Sequence, residues 1–241
     1  MASTVGLFIP CFVDQLSPQV GLDTARVLRK AGYQVVYPEE QTCCGQPAFN
    51  TGYWQEAIPL AERFVKIFER FEAVVCPSGS CTTMVRKFYP ELLEGRPSEK
   101  KAIEVGQRVY ELSEFLVNVA KVTDLGAAFP HKVCVHDSCH ALRELGVQAQ
   151  PRELLRQVRG IEITEMADAG ECCGFGGTFA VKFGAVSAAM GDVKAEAVKA
   201  TGAEFVTAVD SSCLMHVEGV MRKRGDAAKT IHLASILAAE E

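Results

Sequence analysis

An α/β fold made of two pseudo-symmetric tandem repeats, each a small parallel sheet flanked by helices, is the fold that the sequence predicts. Short apolar runs alternate with longer amphipathic segments, the alternation occurs twice, and cysteines recur in the same register in both halves. A parallel strand pair cannot be joined by a hairpin, so such alternation calls for crossover helices. The expected repeats span residues 1–125 and 126–241.

The elements follow in order. Val5 to Ile9 reads as a strand. Ser17-Pro18 supplies an N-cap and a first-turn proline for a helix carrying Val20, Leu22, Ala25, Val27 and Leu28, which Gly32 can end in a left-handed conformation. Tyr33 to Tyr37 is short and β-rich. Tyr53 to Phe71 has helical periodicity through Ile58, Ala61, Phe64, Val65 and Phe68, and Ala73 to Cys76 reads as a buried strand. The second half repeats this order: strand near Val133 to His136, helix near Pro151 to Val158, strand near Ile161 to Thr164, helix near Val186 to Ala200, strand near Phe205 to Val209. Leu112 and Leu116 in a closing helix correspond to Leu233 and Leu237, while an extra polar stretch around Glu94 to Gln107 belongs to the first half alone.

The composition of the 241 residues, 48% hydrophobic and 23% charged with 20 Gly and 10 Pro, suits a globular chain and excludes disordered or collagen-like classes. Against 25 Lys and Arg stand 30 Asp and Glu, a formal charge of -5, with no basic run to neutralise a phosphate backbone, so no nucleic-acid partner is expected. The first residues lack the basic and long apolar regions of a secretory signal. No stretch reaches the roughly 18 uncharged apolar residues that span a bilayer. The expectation is a cytoplasmic protein without direct membrane insertion. Thiols stay reduced there, so the ten cysteines read as metal ligands or redox groups rather than as a disulfide framework.

Cys11 is followed by Cys43-Cys44-Gly45 and Cys81, and Cys139 by Cys172-Cys173-Gly174 and Cys213, with intervals of 32 and 37 residues in one half and 33 and 40 in the other. A Cys-Cys-Gly triplet arises by chance about 0.03 times in a chain of this composition, so two in matching registers mark an internal duplication. Cys76 and Cys134 have no counterparts and read as core thiols.

Each cysteine group falls just after an expected strand, and the carboxyl ends of a parallel sheet lie along one edge, so the four thiols of each half can converge there. Adjacent cysteines face one centre only in a sharp loop, which Gly45 permits. Backbone N–H groups at Gly45, Gly79, Gly174, Gly176 and Gly177 are candidates to offset the negative charge of a thiolate-bound cofactor. Ligands dispersed over about 70 residues suit an iron-sulfur cluster, of the 4Fe-4S kind or another, better than structural zinc, although zinc in one half remains an alternative. His136 and His140 bracket Cys139 and are candidate proton-relay residues or donors to a cluster sulfur. Asp137 and Asp210 are expected to cap the helices that follow them.

These triplets in two tandem copies resemble the cysteine-rich CCG family, which includes the cysteine-rich subunit of heterodisulfide reductase and the glycolate oxidase iron-sulfur subunit. Within it, Cys43-Cys44-Gly45-Gln46-Pro47-Ala48-Phe49-Asn50, Cys76-Pro77-Ser78-Gly79-Ser80-Cys81, His136-Asp137-Ser138-Cys139-His140 and Cys172-Cys173-Gly174-Phe175-Gly176-Gly177-Thr178-Phe179 look like the lactate utilization A group over essentially the whole chain. The resemblance implies an iron-sulfur oxidoreductase subunit that transfers electrons in a complex with the lactate utilization B and C subunits, oxidising L-lactate to pyruvate. It leaves two alternatives: a disulfide-reducing catalytic subunit, and a zinc-binding or docking module in one or both halves. In the heterodisulfide reductase relative each repeat ends in C-x2-C and supplies a fifth thiolate; here Ser78 and Asp210 occupy that fifth position, and Cys76 is the only nearby substitute.

Overall fold

The computed structural model describes residues 3–240. Among the described residues, eight strands form two separate four-stranded parallel sheets. The first consists of β1 (Thr4–Leu7), β2 (Gln34–Val36), β3 (Val74–Cys76) and β4 (Val109–Glu111), in the order β2-β1-β3-β4. The second repeats it with β5 (Lys132–Val135), β6 (Glu162–Thr164), β7 (Phe205–Ala208) and β8 (Lys229–His232), in the order β6-β5-β7-β8. The anticipated α/β duplication is therefore the fold. β4 and β8 add a fourth strand to each sheet beyond the three read from the sequence; each runs straight into the closing helix, with no turn to mark its end.

Helices join the strands as crossovers. Pro18–Lys30 begins on its proline, but the Ser17 side chain makes no capping hydrogen bond, contrary to its expected role. Gly32, at φ 90°, closes the turn into β2. Trp54–Phe68 presents Ile58, Ala61, Phe64, Val65 and Phe68 to the first sheet, and Gly184–Thr201 is its counterpart in the second half.

Three apolar clusters fill the molecule. One lies on the outer face of the first sheet around Phe8, Phe64 and Phe68, and another on the outer face of the second around Cys134, Ala195 and Val206. The third is shared, with Val5, Val27 and Leu28 from one half meeting Val133, Leu154 and Leu237 from the other. The closing helix of the second half, Leu233–Ala238, packs on Pro18–Lys30 of the first, and Ser235 Oγ donates to Asp23 Oδ2 at 2.7 Å. Reciprocally, the closing segment from Leu112 packs on Ala149–Leu155. Each fully buried leucine in such a seam contributes about 2 kcal/mol, so the two sheets are held as one body. Cys76 and Cys134 are buried strand residues in the outer clusters. Among the described residues, no helix is long and apolar enough to cross a membrane.

The ends of β4 and β8 carry equivalent caps of different chemistry. His232 Nδ1 accepts from the Ala234 N–H, whereas Glu111 accepts from the Ser113 and Glu114 N–H groups and from the Ser113 hydroxyl. Glu111 is fully buried, and loss of water pushes its carboxyl up to about 8. The folded protein then holds a proton that the unfolded chain releases from about pH 4.5 upward, so stability falls as pH rises between those values, by on the order of 4 kcal/mol. Glu111→Gln, which cannot ionise, is expected to flatten this slope and to be the more stable protein at pH 8 in urea denaturation followed from pH 5 to pH 8. An unchanged slope contradicts a buried protonated Glu111.

Candidate functional site

In each sheet the connections run one way from the first strand and the other way from the third, which opens a crevice at the carboxyl ends of that pair. The cysteines enter there. Cys11 opens the helix Cys11–Leu16 after β1, Cys43 and Cys44 form the loop before the helix Gln46–Asn50, and Cys81 lies on the helix Gly79–Thr83 after β3. Cys139 begins the helical turn after β5, Cys172 and Cys173 precede the helix Thr178–Lys182, and Cys213 lies on Ser211–Arg224 after β7.

All eight line one cavity of about 180 Å³ between the halves, which the sequence did not foretell. Its walls include Phe12 and Phe175, packed edge to face across the halves with centroids 5.2 Å apart. Gly176, Gly177, Ser138 and His140 also face it.

The two Cys-Cys-Gly loops have the same local design. Gly45 (φ 86°) and Gly174 (φ 91°) adopt left-handed conformations that a side chain disfavours, and a Cβ at Gly174 would lie 2.7 Å from Met190 Cβ. In this geometry Gly45 N donates to Cys43 Sγ and Gly174 N to Cys172 Sγ, both at 3.4 Å. Cys11 Sγ lies 3.6 Å from Cys43 Sγ. Hydrogen bonds from Cys11 and Cys44 bring the Cys43 thiol down to about 3, and those from Cys139 and Cys173 bring Cys172 down to about 2. The donating thiols move the other way: Cys11, Cys44, Cys139 and Cys173 are raised above their ordinary value. Cys213 is lowered to about 6, chiefly by a hydrogen bond from Cys173, against the opposing effect of burial. Each half thus gathers four thiols around a sulfur already favoured as thiolate, a donor set suited to a thiophilic metal or an iron-sulfur cluster.

The histidines bracketing Cys139 separate. His140 faces the cavity with Nδ1 3.8 Å from Cys139 Sγ. His136 is buried behind the site, with Nδ1 3.2 Å from the Ala169 carbonyl oxygen and Nε2 unpartnered among the described residues. A ring nitrogen of His136, Cys173 Sγ and Cys213 Sγ lie within 4.8 Å of one another. Its counterpart three residues before Cys11 is Phe8, which packs edge-on against Phe64 and Phe68.

Two expected helix caps are corrected. Asp137 does not cap the following turn; Arg152 and Gln148 bind its carboxylate, with Arg152 Nη1 at 2.7 Å. Asp210 makes no hydrogen bond to its own helix. Instead its Oδ1 crosses the seam and accepts from Ser78 Oγ at 2.6 Å, Ser80 Oγ at 2.8 Å and Ser80 N at 3.1 Å. Ser78 Oγ in turn accepts from Cys81 N at 3.2 Å. The pseudo-equivalent positions 78 and 210 therefore bind each other rather than flank two separate centres. Gly79 fits beside them because a Cβ there would meet Ala141 Cβ at 2.4 Å, so its contribution is close approach of the halves, and it is not among the residues lining the cavity. Cys76 does not line the cavity either.

The cysteine-rich domain model named CCG matches residues 5–86 and 133–218, one match per sheet. The chain is 43% identical over 234 residues to lactate utilization protein A of Bacillus subtilis (strain 168), covering 97% of this chain and 98% of that protein. It is 44% identical over 234 residues to lactate utilization protein A of Bacillus velezensis, with the same coverage of both chains. Lactate utilization protein A 2 of Bacillus cereus (strain 03BB102) is 42% identical over 236 residues, covering 97% of each.

Removing the bridging carboxylate leaves the buried Ser78 and the half-buried Ser80 groups without their acceptor. Asp210→Ala is expected to cost about 3 kcal/mol, with Asp210→Asn recovering part of it. Chemical denaturation checks this, and a loss below about 0.5 kcal/mol contradicts a structural bridge across the seam.

Proposed function

The chain belongs to the CCG cysteine-rich domain family, and from that premise we propose that it is an iron-sulfur oxidoreductase subunit of a lactate utilization complex, holding one centre on each thiol quartet. The observation that carries the proposal is the convergence of all eight duplicated cysteines on one cavity. Cys11, Cys43, Cys44 and Cys81 form one ligand set, and Cys139, Cys172, Cys173 and Cys213 the other. An iron-sulfur cluster supplies one-electron storage and transfer at each position.

Oxidation of L-lactate to pyruvate releases two electrons and two protons, a balance that two one-electron centres on one cavity can serve. The Gly45 and Gly174 N–H groups offset thiolate charge. His140, on the cavity wall beside Cys139, is the residue placed to accept or return a proton as charge changes. Phe12 and Phe175 give the cavity wall an apolar aromatic surface. Companion B and C subunits supply the remaining chemistry, and the assembly works in the cytoplasm, in keeping with ten unpaired thiols.

A second reading has a specific observation behind it. Two thiol quartets on one cavity also suit reduction of a disulfide, which takes up two electrons and two protons to give two thiols. Turnover of small disulfides by the isolated, reduced chain favours this reading, and inertness favours the first.

Anaerobic purification followed by iron and acid-labile sulfide assays tests the proposal directly. Cys44→Ser and Cys173→Ser are each expected to lose about half of the iron, the double variant nearly all of it, and each single variant is expected to melt at a lower temperature because ligation is coupled to folding. Negligible iron and sulfide after reconstitution, or zinc in their place, contradicts the proposal.

A further inference from the structure

The two quartets have unequal surroundings, and the difference is one buried imidazole. His136 is 2% exposed, and its Nδ1 lies 3.2 Å from the Ala169 carbonyl oxygen. A carbonyl can only accept, so in the neutral ring that contact puts the proton on Nδ1 and leaves Nε2 as a lone pair. A ring with one proton, held on Nδ1, has none on Nε2 to give to sulfur. Nε2 is nevertheless buried without a hydrogen-bond partner among the described residues, an arrangement that costs free energy unless something occupies the lone pair. A ring nitrogen of His136 lies within 4.8 Å of both Cys173 Sγ and Cys213 Sγ, and Nδ1 is the one turned to the Ala169 carbonyl.

Metal-binding histidines characteristically give their other ring N–H to a carbonyl or carboxylate, which fixes tautomer and ring orientation. Here that carbonyl is itself fixed. Ala169 O also accepts from Asp137 N at 3.0 Å, and the buried Lys194 ammonium donates to Asp168 O at 2.7 Å with Ala169 O at 3.5 Å. Asp168 holds a left-handed conformation, φ 53°, that few side chains adopt, and the lysine anchors its carbonyl. The loop thus presents one oxygen to His136 from a restrained backbone.

We propose that His136 ligates the metal of the second centre through Nε2, so that Cys139, Cys172, Cys173 and Cys213 work with a fifth, nitrogen donor. This rests on the metal-binding reading above. The carboxylate at position 210 accepts through Oδ1 from Ser78 and Ser80, and its Oδ2 lies beside Gly79, so the position that resembles a fifth-thiolate site is turned toward the seam. Among the described residues Phe8 fills the equivalent place in the first half, and Tyr89 gives its hydroxyl to the Cys44 carbonyl. The two centres therefore differ in ligand chemistry as well as in position.

X-ray absorption at the metal edge tests this whatever the spin state or the metal. The full chain carrying Cys44→Ser, reconstituted anaerobically with ferrous iron and sulfide, confines metal to the second half. Its spectrum is expected to contain imidazole scattering in addition to sulfur, the imidazole signal disappearing with His136→Phe or, should that variant fold poorly, His136→Gln, and persisting with His140→Ala. A sulfur-only spectrum, or imidazole scattering that survives both His136 substitutions, overturns the inference while leaving the cluster itself in place. Absence of metal from the Cys44→Ser protein overturns it together with the two-centre reading, and the iron assay separates that outcome from the others.

Discussion

The shared apolar seam between two parallel sheets is the constraint on which the rest depends. Each sheet delivers its cysteines to its own switch-point crevice, but a cavity with eight thiols exists only because the crevices are clamped face to face. Val27, Leu28, Leu154 and Leu237 supply the burial, and the exchange of closing helices makes each half depend on the other. At the floor of the cavity, Asp210 reaches across to Ser78 and Ser80, and Gly79 lets the backbones meet. Ser78 and Asp210, at pseudo-equivalent positions of the two halves, thus serve to join them.

Duplication gave the two sites a common plan, and divergence changed what surrounds them. The glycine N–H to the first thiolate of the pair is repeated with the same 3.4 Å distance in both loops. Around the first quartet the packing is aromatic, with Phe8, Phe64 and Tyr89. Around the second it is polar and basic, with His136 and Lys194 buried close to Cys173. Burial makes such differences matter, since charge and hydrogen bonding near sulfur act there with little screening by water.

Much of this was legible in the sequence. The alternation of β-rich and amphipathic segments placed six of the eight strands, and the Cys-Cys-Gly registers identified the residues that meet. Strands β4 and β8 escaped because each runs straight into its closing helix, with no turn residues to mark where it ends. Their caps, Glu111 and His232, gave no motif. The common cavity escaped for a different reason: periodicity describes each half's own sheet, and nothing in it reports how two sheets dock. Asp210 followed the same logic, since its position before a helix signalled a local cap, whereas its partners lie more than a hundred residues away. His136 and His140 looked alike beside Cys139, and only the fold separates one behind the thiols from one on the cavity wall.

The central claim is that one cavity brings together two inorganic redox centres, one on each quartet. Anomalous diffraction at the iron edge, from crystals of the anaerobically reconstituted chain, tests it most directly. Two iron peaks on opposite walls of the cavity, one among Cys11, Cys43, Cys44 and Cys81 and the other among Cys139, Cys172, Cys173 and Cys213, are the predicted result. A single peak, or none at these sulfurs, would contradict it.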